Sequence, residues 1–428
     1  MSTSVEERRG EAFPKRVSTM PIIQSLLDTD FYKFTMGHWV FKRYPNVPVR
    51  YAFKNRTARV RLAEYIDEAE LRRELDHVRT LRVNPSELHY LRGTNEYGDG
   101  IFSEDYLQFL KELRLPPYEL EGVDGTYTLE FSGVWCEAIY WETLALSIIN
   151  ELYYRACMER LSAFESDAVF ATGTLQLAEK IKTLRSRPDI TFSDFGTRRR
   201  FSRSWQEYVV RVLAQEMPGQ MLGTSNTAMA MQYGLLPIGT LAHEMYMVLG
   251  GGIAQSDDTI RASHNRVLQE WWQEYGWGLS IALTDTYGTD FFFRDMTAEQ
   301  ARAWKGLRQD SGDPMAFGEK AIAFYERHGI DPRDKLIVFS DGLDLGTIVK
   351  LADHFAGRIR VSFGWGTNLT NDVGFQALSL VIKVIEANGH RTVKLSDNLA
   401  KATGEASDIE RFKRIFAYTI TLCEECKY

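Results

Sequence analysis

Cysteine is scarce in this sequence, with four residues among 428. Four cysteines cannot form the disulfide framework of a chain this long, which predicts a reducing, cytoplasmic setting. Cys423 and Cys426 have the spacing of zinc ligands, but the sequence has no second pair to complete a tetrahedral site. We therefore interpret them as a chance pair in a charged tail.

Two further absences narrow the function. No apolar run approaches the roughly 18–20 residues that a membrane span needs, and the net charge is -7 rather than positive. A general nucleic-acid binder or a membrane-surface protein is therefore not expected. Residues 1–20 are polar, mix acids with arginines and have no apolar signal core, so we predict a disordered arm there.

The remaining chain has the composition of a soluble enzyme, with 44% hydrophobic and 25% charged residues. Its length predicts two domains. We assign residues 21–136 together with 390–428 to an N-terminal α/β domain, and residues 137–389 to a β/α barrel domain. Residues 411–422 are predicted to be a strand that returns to the N-terminal domain.

Short, buried strands alternate with helices from residue 190 onward, and seven strand ends carry Asp, Gly or Ser/Thr. The carboxyl ends of barrel strands form one rim where ligands bind, whereas an open doubly wound sheet concentrates ligand contacts at one switch point. The pattern therefore favours an irregular β/α barrel of about seven strands. The seven strand ends are residues 194–196, 223–226, 239–240, 285–288, 310–313, 341–342 and 364–368.

One strand end, at Gly239-Thr240, is followed by His243 and Glu244. A hydroxyl, an imidazole and a carboxylate together at a strand end indicate a reactive site. A lone histidine here would more simply be a hydrogen-bonded residue at the start of a helix. The six other strand ends of the same kind favour the reactive site.

Other strand ends suit anions. Gly364, Gly366 and Thr367 follow a strand, and we predict that the helix after Asp372 adds its dipole to a phosphate site. Arg308 would share a face with Asp310, and such a group suits ribose hydroxyls or a magnesium-bound diphosphate. An exposed turn is the alternative there.

Phe195 beside Arg198 suits a planar, anionic aromatic molecule. For most of the arginines at 198–203 the alternative is a solvated basic face. The segment from Lys394 to Lys401 can hold a phosphate from outside the barrel, or can simply be a surface strand and turn.

Taken together, these motifs resemble the nicotinate phosphoribosyltransferase family of bacteria and fungi, from about Ile22 to Tyr418. The matching segments are Thr29-Asp-Phe-Tyr-Lys33, Asp194-Phe-Gly-Thr-Arg198, Gly223-Thr-Ser-Asn226, Gly239-Thr-Leu-Ala-His-Glu244, Asp310-Ser-Gly-Asp313, Phe363-Gly-Trp-Gly-Thr367 and Lys394-Leu-Ser-Asp397.

The resemblance implies a barrel joined to an N-terminal α/β open-sandwich domain that the C-terminal segment completes. It also implies a reaction: nicotinate and phosphoribosyl pyrophosphate give nicotinate mononucleotide and pyrophosphate, with ATP hydrolysed in the coupled, ligase form. Mg²⁺ would accompany phosphoribosyl pyrophosphate and ATP, with no tightly bound organic cofactor. A homodimer with shared sites is implied as well, with the neighbouring subunit as a source of Tyr32 and Arg56.

The resemblance carries specific roles onto matching positions. His243 would be phosphorylated by ATP, with Glu244 and Asp285 as further catalytic residues. Tyr32 and Phe195 would sandwich the pyridine ring, and Arg198 would face its carboxylate. The remaining substrate-binding residues would be Arg56, Thr224, Ser225, Arg308, Asp310, Ser311, Asp341, Gly342, Gly364, Gly366, Thr367 and Lys401.

Ser225 bears on the choice of substrate, because relatives that act on nicotinamide carry Asp after the corresponding Gly-Thr. An Asp would repel nicotinate, so Ser225 favours the acid, and the nicotinamide enzyme stays as the alternative. Two alternatives of other classes are a non-catalytic sensor of phosphate ligands, which has no use for His243, and a metal-dependent barrel lyase.

Overall fold

The computed structural model describes residues 20–96 and 98–424. Apart from Met20, the predicted disordered arm lies outside these residues, and so does Cys426. None of the helices in the described ranges is long and apolar enough to cross a membrane.

The chain folds into mixed α/β elements. The strands are β1 (Pro48–Asn55), β2 (Asn95–Glu96), β3 (Asp99–Gly100), β4 (Tyr118–Val123), β5 (Thr126–Val134), β6 (Phe192–Asp194), β7 (Met221–Thr224), β8 (Leu236–Pro237), β9 (Ile281–Leu283), β10 (Gly306–Gln309), β11 (Leu336–Phe339), β12 (Arg360–Trp365), β13 (Leu380–Ala387) and β14 (His390–Arg391).

The helices are α1 (Phe31–Arg43), α2 (Glu68–Thr80), α3 (Pro85–Gly93), α4 (Glu104–Glu112), α5 (Trp135–Ala138), α6 (Trp141–Glu159), α7 (Ala163–Arg185), α8 (Arg203–Glu216), α9 (Thr227–Tyr233), α10 (His243–Met247), α11 (Asp257–Tyr275), α12 (Thr289–Asp295), α13 (Ala298–Ala303), α14 (Pro314–Arg327), α15 (Leu345–Phe355), α16 (Thr367–Thr370) and α17 (Ala406–Ile415). A π-helical turn, Val248–Ile253, continues α10.

The predicted barrel strands form one curled parallel sheet in the order β8-β7-β6-β12-β11-β10-β9. All seven strands inferred from the sequence are present, and the predicted α/β barrel class is confirmed. Strands β8 and β9 are the two edges. Across this seam, the Thr240 hydroxyl donates a hydrogen bond to the Ile281 carbonyl at 3.3 Å. All seven carboxyl ends therefore meet at one rim.

A second, antiparallel sheet has the order β14-β13-β1-β5-β4. Strand β13, which the sequence prediction left within the barrel range, pairs with β1 from Val49↔Ala387 to Asn55↔Leu380. This pairing brings the N-terminal part of the chain against a strand near residue 380, over the open side of the barrel rim.

Two predicted elements are wrong. Residues 411–422 are not a strand: α17 covers most of the first half, because Phe412, Ile415 and Phe416 recur at helical spacing and are buried. No helix follows Asp372 either, since the chain passes from the short helix α16 directly toward β13. The dipole of a long helix is therefore not available to the glycine loop.

The alternative of a solvated basic face at residues 198–203 does not hold for Arg200. Its guanidinium pairs with Asp28 at 2.7 Å, and both side chains are at most 1% exposed. Asp28 is thus used inside the core and does not cap α1, whose N-cap residue is Asp30.

Candidate active site at the barrel rim

A cavity of about 480 Å³ opens at the barrel rim and is covered on one side by the antiparallel sheet. Its wall contains most of the residues singled out in the sequence. They are Tyr32, Arg56, Phe195, Arg198, Ser225, His243, Glu244, Arg308, Asp310, Asp341, Gly342, Gly364, Gly366, Thr367 and Lys401.

Three candidate residues, Thr224, Asp285 and Ser311, lie behind this wall. The Thr224 hydroxyl donates to Asp194 at 2.7 Å, which ties β7 to β6. The Ser311 hydroxyl donates to Asp285 at 2.5 Å, and both residues are at most 2% exposed. These side chains therefore brace the rim in this structure rather than face the cavity.

Tyr32 and Arg56 line the cavity from the same chain as Phe195. Tyr32 lies in the first turn of α1, and the Arg56 guanidinium donates to the Lys401 carbonyl at 3.0 Å. The same chain thus brings both residues to this cavity, and the neighbouring subunit as their source stays a prediction. The physical reason is the β1–β13 pairing, which folds the N-terminal domain over its own barrel.

Two glycines leave the space that Phe195 and Tyr32 occupy in the cavity wall. A Cβ on Gly364 would lie 2.3 Å from Cε2 of Phe195, so the phenyl ring rests directly on this glycine. A Cβ on Gly239 would lie 2.5 Å from the Tyr32 backbone nitrogen. Both positions need glycine because the neighbouring group occupies the space of a side chain.

Replacing Gly364 with alanine is expected to push the Phe195 ring into the cavity, since separations under 3.0 Å are not tolerated. For a planar ligand that binds against this ring, we expect the dissociation constant to rise roughly tenfold, or about 1.4 kcal/mol, because the displaced ring would lose its stacking contact with the ligand. Isothermal titration with the ligand measures the change. Gly346→Ala is the control, since a Cβ there meets only an ordinary contact at 3.5 Å. Unchanged binding in Gly364→Ala would show that the ring does not contact the ligand.

A cluster of polar groups surrounds Arg198 next to the rings. Its Nε lies 3.2 Å from Asp30, and its guanidinium lies 5.6 Å from the centre of the Tyr32 ring. Asp30 also accepts a hydrogen bond from the Ser225 hydroxyl at 2.7 Å. Ser225 therefore helps to fix the acid that orients Arg198, and the cluster presents a cation at the edge of the ring-binding space.

Glu244 is fully engaged within the protein. Its Oε1 accepts hydrogen bonds from Tyr51 and Trp135, both at 2.7 Å, and its Oε2 lies 2.5 Å from Nζ of Lys33. Three donors hold this carboxylate in a fixed position. These contacts hold the first turn of α10, where His243 begins the helix, and the catalytic role of Glu244 stays a prediction.

His243 is held between two partners. Its Nδ1 lies 3.0 Å from the Thr286 hydroxyl, and its Nε2 lies 3.0 Å from Asp310. Burial and the nearby Lys394 ammonium lower the pKa of His243 to about 4, against the attraction of Asp285 and Asp310. The imidazole is therefore neutral at pH 7, which leaves one ring nitrogen with a lone pair.

Asp310 is the central acid of this part of the rim. It meets His243 on one oxygen and accepts from Ser340 at 3.1 Å on the other. Although burial raises it, the charges of Arg308 and Lys401 and the hydrogen bond with His243 hold the pKa of Asp310 well below its usual range. Asp310 is thus ionised. Beside it, Nε of Arg308 is buried and has no hydrogen-bond partner among the described residues.

The segment from Lys394 to Lys401 closes this side of the cavity. Lys401 donates to the Asp310 carbonyl at 2.9 Å and contacts Asp341 at 2.5 Å. Burial lowers the pKa of Lys394 to about 8, although Asp285 and Asp310 raise it. Ser396 has a φ of 70°, a strained backbone for serine of the kind that clusters at functional sites.

Two charged wall residues carried no strong signal in the sequence: Glu142 and Lys383. Glu142 belongs to the helix α6, and Lys383 belongs to the apolar strand β13. A single charge inside an apolar run was the one local sign that could have flagged them, because burying an unpaired charge is costly. Lys394 was noticed in the sequence, but only as a phosphate ligand from outside the barrel.

Comparisons with known proteins agree with the fold and the cavity. A sequence profile of the nicotinate phosphoribosyltransferase (NAPRTase) family matches residues 190–420, and the profile of its N-terminal domain matches residues 27–150. The structure is similar to nicotinate phosphoribosyltransferase from Vibrio cholerae, with 34% identity over 94% of this chain and 95% of that one, and a TM-score of 0.82.

Two further solved structures are similar. The nicotinate phosphoribosyltransferase from Porphyromonas gingivalis has 33% identity over 92% of this chain and 100% of that one, with a TM-score of 0.82. A putative nicotinate phosphoribosyltransferase from Saccharomyces cerevisiae has 28% identity over 94% of this chain and 100% of that one, with a TM-score of 0.79.

An incomplete parallel barrel whose rim combines arginines, lysines, carboxylates and glycine loops defines a phosphoribosyltransferase of the barrel type. Within that class, the chain belongs to the nicotinate phosphoribosyltransferase family, since the family profile covers more than half of it and two relatives exceed 30% identity over nearly its whole length.

Proposed function

We propose that this protein transfers the phosphoribosyl group of phosphoribosyl pyrophosphate to nicotinate, giving nicotinate mononucleotide and pyrophosphate, the entry of nicotinate into NAD synthesis. The observation that carries the proposal is a single cavity with two chemically different ends. Phe195, Tyr32 and Arg198 suit a flat, anionic ring, whereas Arg308, Asp310 and the glycine loops suit a ribose with phosphates.

The chemistry of the transfer fits these groups. The pyridine nitrogen supplies its lone pair to the anomeric carbon while the bond to pyrophosphate breaks, so no strong base is required. Arg308 would stabilise the charge of the leaving diphosphate, and Asp310 would stabilise the cation-like sugar. Gly342, with a φ of 58°, and the loop from Gly364 to Thr367 would leave backbone groups open to the 5′-phosphate.

ATP coupling through His243 is part of the proposal. The lone pair of a ring nitrogen would attack the γ-phosphorus of ATP, ADP would leave, and the imidazole proton would pass to Asp310 at 3.0 Å. Water would later hydrolyse the phosphohistidine. The neutral, buried imidazole supports this role, since a protonated ring would have no lone pair to offer.

Mg²⁺ would arrive with the diphosphates. His243, Asp285 and Asp310 place possible ligand atoms within 4.8 Å of one another, and Oδ1 of Asp285 is buried with no hydrogen-bond partner among the described residues. Two carboxylates fit the oxygen preference of Mg²⁺, which neutralises charge on the leaving group when bound. The scarcity of cysteine supports a cytoplasmic location, and the homodimer remains a prediction.

The assay is direct. Purified protein incubated with nicotinate, phosphoribosyl pyrophosphate, Mg²⁺ and ATP should form nicotinate mononucleotide. Liquid chromatography measures this product. Preference for nicotinamide would instead identify the alternative enzyme. Tight binding of the substrates without turnover would indicate a sensor. An activity that chelation of the metal abolishes, with no transfer of a phosphoribosyl group, would indicate a lyase. Arg198, which would face the carboxylate of nicotinate, supports nicotinate phosphoribosyl transfer over these alternatives.

Changing Ser225 to Asp should abolish the preference for nicotinate. The new carboxylate would stand where the Ser225 hydroxyl now donates to Asp30 at 2.7 Å, so two acids would compete for Arg198. We expect kcat/KM for nicotinate to fall roughly 100-fold, as for loss of a charge-assisted contact. Ser225→Ala is the control, because it removes the hydrogen bond without adding charge. Equal kcat/KM values for nicotinate in Ser225→Asp and Ser225→Ala would show that the added negative charge does not determine the preference for nicotinate.

A further inference from the structure

We propose that Lys383, on strand β13 of the antiparallel sheet, binds the carboxylate of the pyridine substrate and thereby helps to select the acid over the amide. The inference rests on the proposed function and adds a second cation to Arg198.

Lys383 occupies an unusual position for a lysine. Its neighbours Leu380, Ile382 and Val384 are completely buried, while the Lys383 side chain is 17% exposed and lines the cavity. Burial lowers the pKa of this lysine, although Glu142 raises it. Placing an ammonium in an apolar strand costs free energy, and packing of β13 does not require one. The position therefore indicates a role in the cavity.

Lys383 and Arg198 meet at one atom. Nζ of Lys383 lies 2.8 Å from Oε1 of Glu142, and the Arg198 guanidinium lies 3.5 Å from the same oxygen. The other oxygen of Glu142 lies 2.7 Å from Lys33. Glu142 thus fixes Lys383 and Arg198 side by side at the edge of the cavity, which is the arrangement that a substrate carboxylate can bridge.

Three cations contact Glu142, and they differ in whether a second carboxylate lies nearby. Lys33 is shared with Glu244, and Arg198 is shared with Asp30. In the described part of the chain, Glu142 is the one carboxylate within 4.0 Å of the Lys383 ammonium.

An arriving carboxylate can accept hydrogen bonds from the N–H groups that Lys383 and Arg198 do not use toward Glu142. With the pyridine ring against Phe195, a carboxylate on the ring can accept from Arg198 and Lys383 together. A carboxamide presents one acceptor and an NH₂ group, and the NH₂ group would face an ammonium that cannot accept a hydrogen bond. Lys383 therefore contributes both affinity for the acid and rejection of the amide.

The test is Lys383→Met, which keeps the length of the side chain and removes its charge. KM and kcat are measured for nicotinate and for phosphoribosyl pyrophosphate, and nicotinamide is tested as a substrate. We expect KM for nicotinate to rise roughly 10- to 100-fold, the size of one charged hydrogen bond. KM for phosphoribosyl pyrophosphate should stay near its wild-type value, the preference over nicotinamide should fall, and Lys383→Arg should restore most of both.

Lys350→Met is the matched control, since Lys350 is exposed on α15. Thermal unfolding checks each variant, and Lys383→Gln replaces Lys383→Met if the latter does not fold. An unchanged KM for nicotinate overturns the inference, and so does an equal rise in KM for both substrates, which would indicate a structural role. Failure of the wild-type protein to use nicotinate would instead overturn the proposed function itself.

Discussion

Replacing His243 with asparagine is expected to abolish transfer of the γ-phosphoryl group of ATP to the protein. Asparagine can keep hydrogen bonds toward Thr286 and Asp310, which now lie 3.0 Å from the ring nitrogens, but it offers no nucleophilic nitrogen. With ATP labelled at the γ-phosphate, wild type should acquire an acid-labile label and the variant none. Turnover with ATP should fall to the level seen without it.

The exposed residue His390 provides the control, because His390→Asn changes a histidine outside the cavity and should label like wild type. Since the pKa of His243 is about 4, its ring is neutral near neutrality, and labelling should change little between about pH 6 and pH 8. Equal labelling of wild type and His243→Asn would remove this histidine from the phosphoryl transfer.

Replacing Lys33 with methionine is expected to lower the free energy of unfolding by about 3–5 kcal/mol. Lys33 is 0% exposed, and its ammonium lies 2.7 Å from Glu142 and 2.5 Å from Glu244, each at most 5% exposed. Although burial lowers it, these two carboxylates raise the pKa of Lys33 above its usual value. The variant would leave two acids buried without their shared cation, and urea unfolding measures the loss.

A second lysine on the same helix gives the comparison. Lys42 is 43% exposed and pairs with Glu274 at the surface, so Lys42→Met should change the free energy of unfolding by no more than about 1 kcal/mol. Adding Glu244→Gln to Lys33→Met should recover part of the loss, because it removes one stranded charge. Similar losses in Lys33→Met and Lys42→Met would show that the buried ion pairs contribute little.

The barrel strands could be predicted because their signal is local. Each combines a short buried run with a polar or glycine end, and parallel order then follows from the intervening helices. Part of the C-terminal helix α17 falls in the segment predicted as a strand, although Ile409, Phe412 and Ile415 recur at helical spacing. The place of β13 could not be predicted, because its pairing with β1 depends on residues more than 300 positions away.

The candidate site also contains residues that local sequence motifs could predict and residues that they could not. The strand-end motifs predicted His243 and Arg308 on the cavity wall, where both lie. Which way Thr224 and Ser311 face, toward the cavity or toward Asp194 and Asp285, depends on tertiary packing that no motif encodes. Glu142 was missed for a similar reason: a helix does not reveal from its own sequence which residues of another sheet will meet it.

The contact between Arg56 and the carbonyl of Lys401 joins positions 345 residues apart. During synthesis, the segment that carries Lys401 leaves the ribosome long after β1, and at roughly 5–20 residues per second that interval lasts tens of seconds. Until then β1 lacks β13 on one side and presents an unpaired strand edge, which is a template for misassociation. Closure of the cavity is thus a late event when this chain folds during its synthesis.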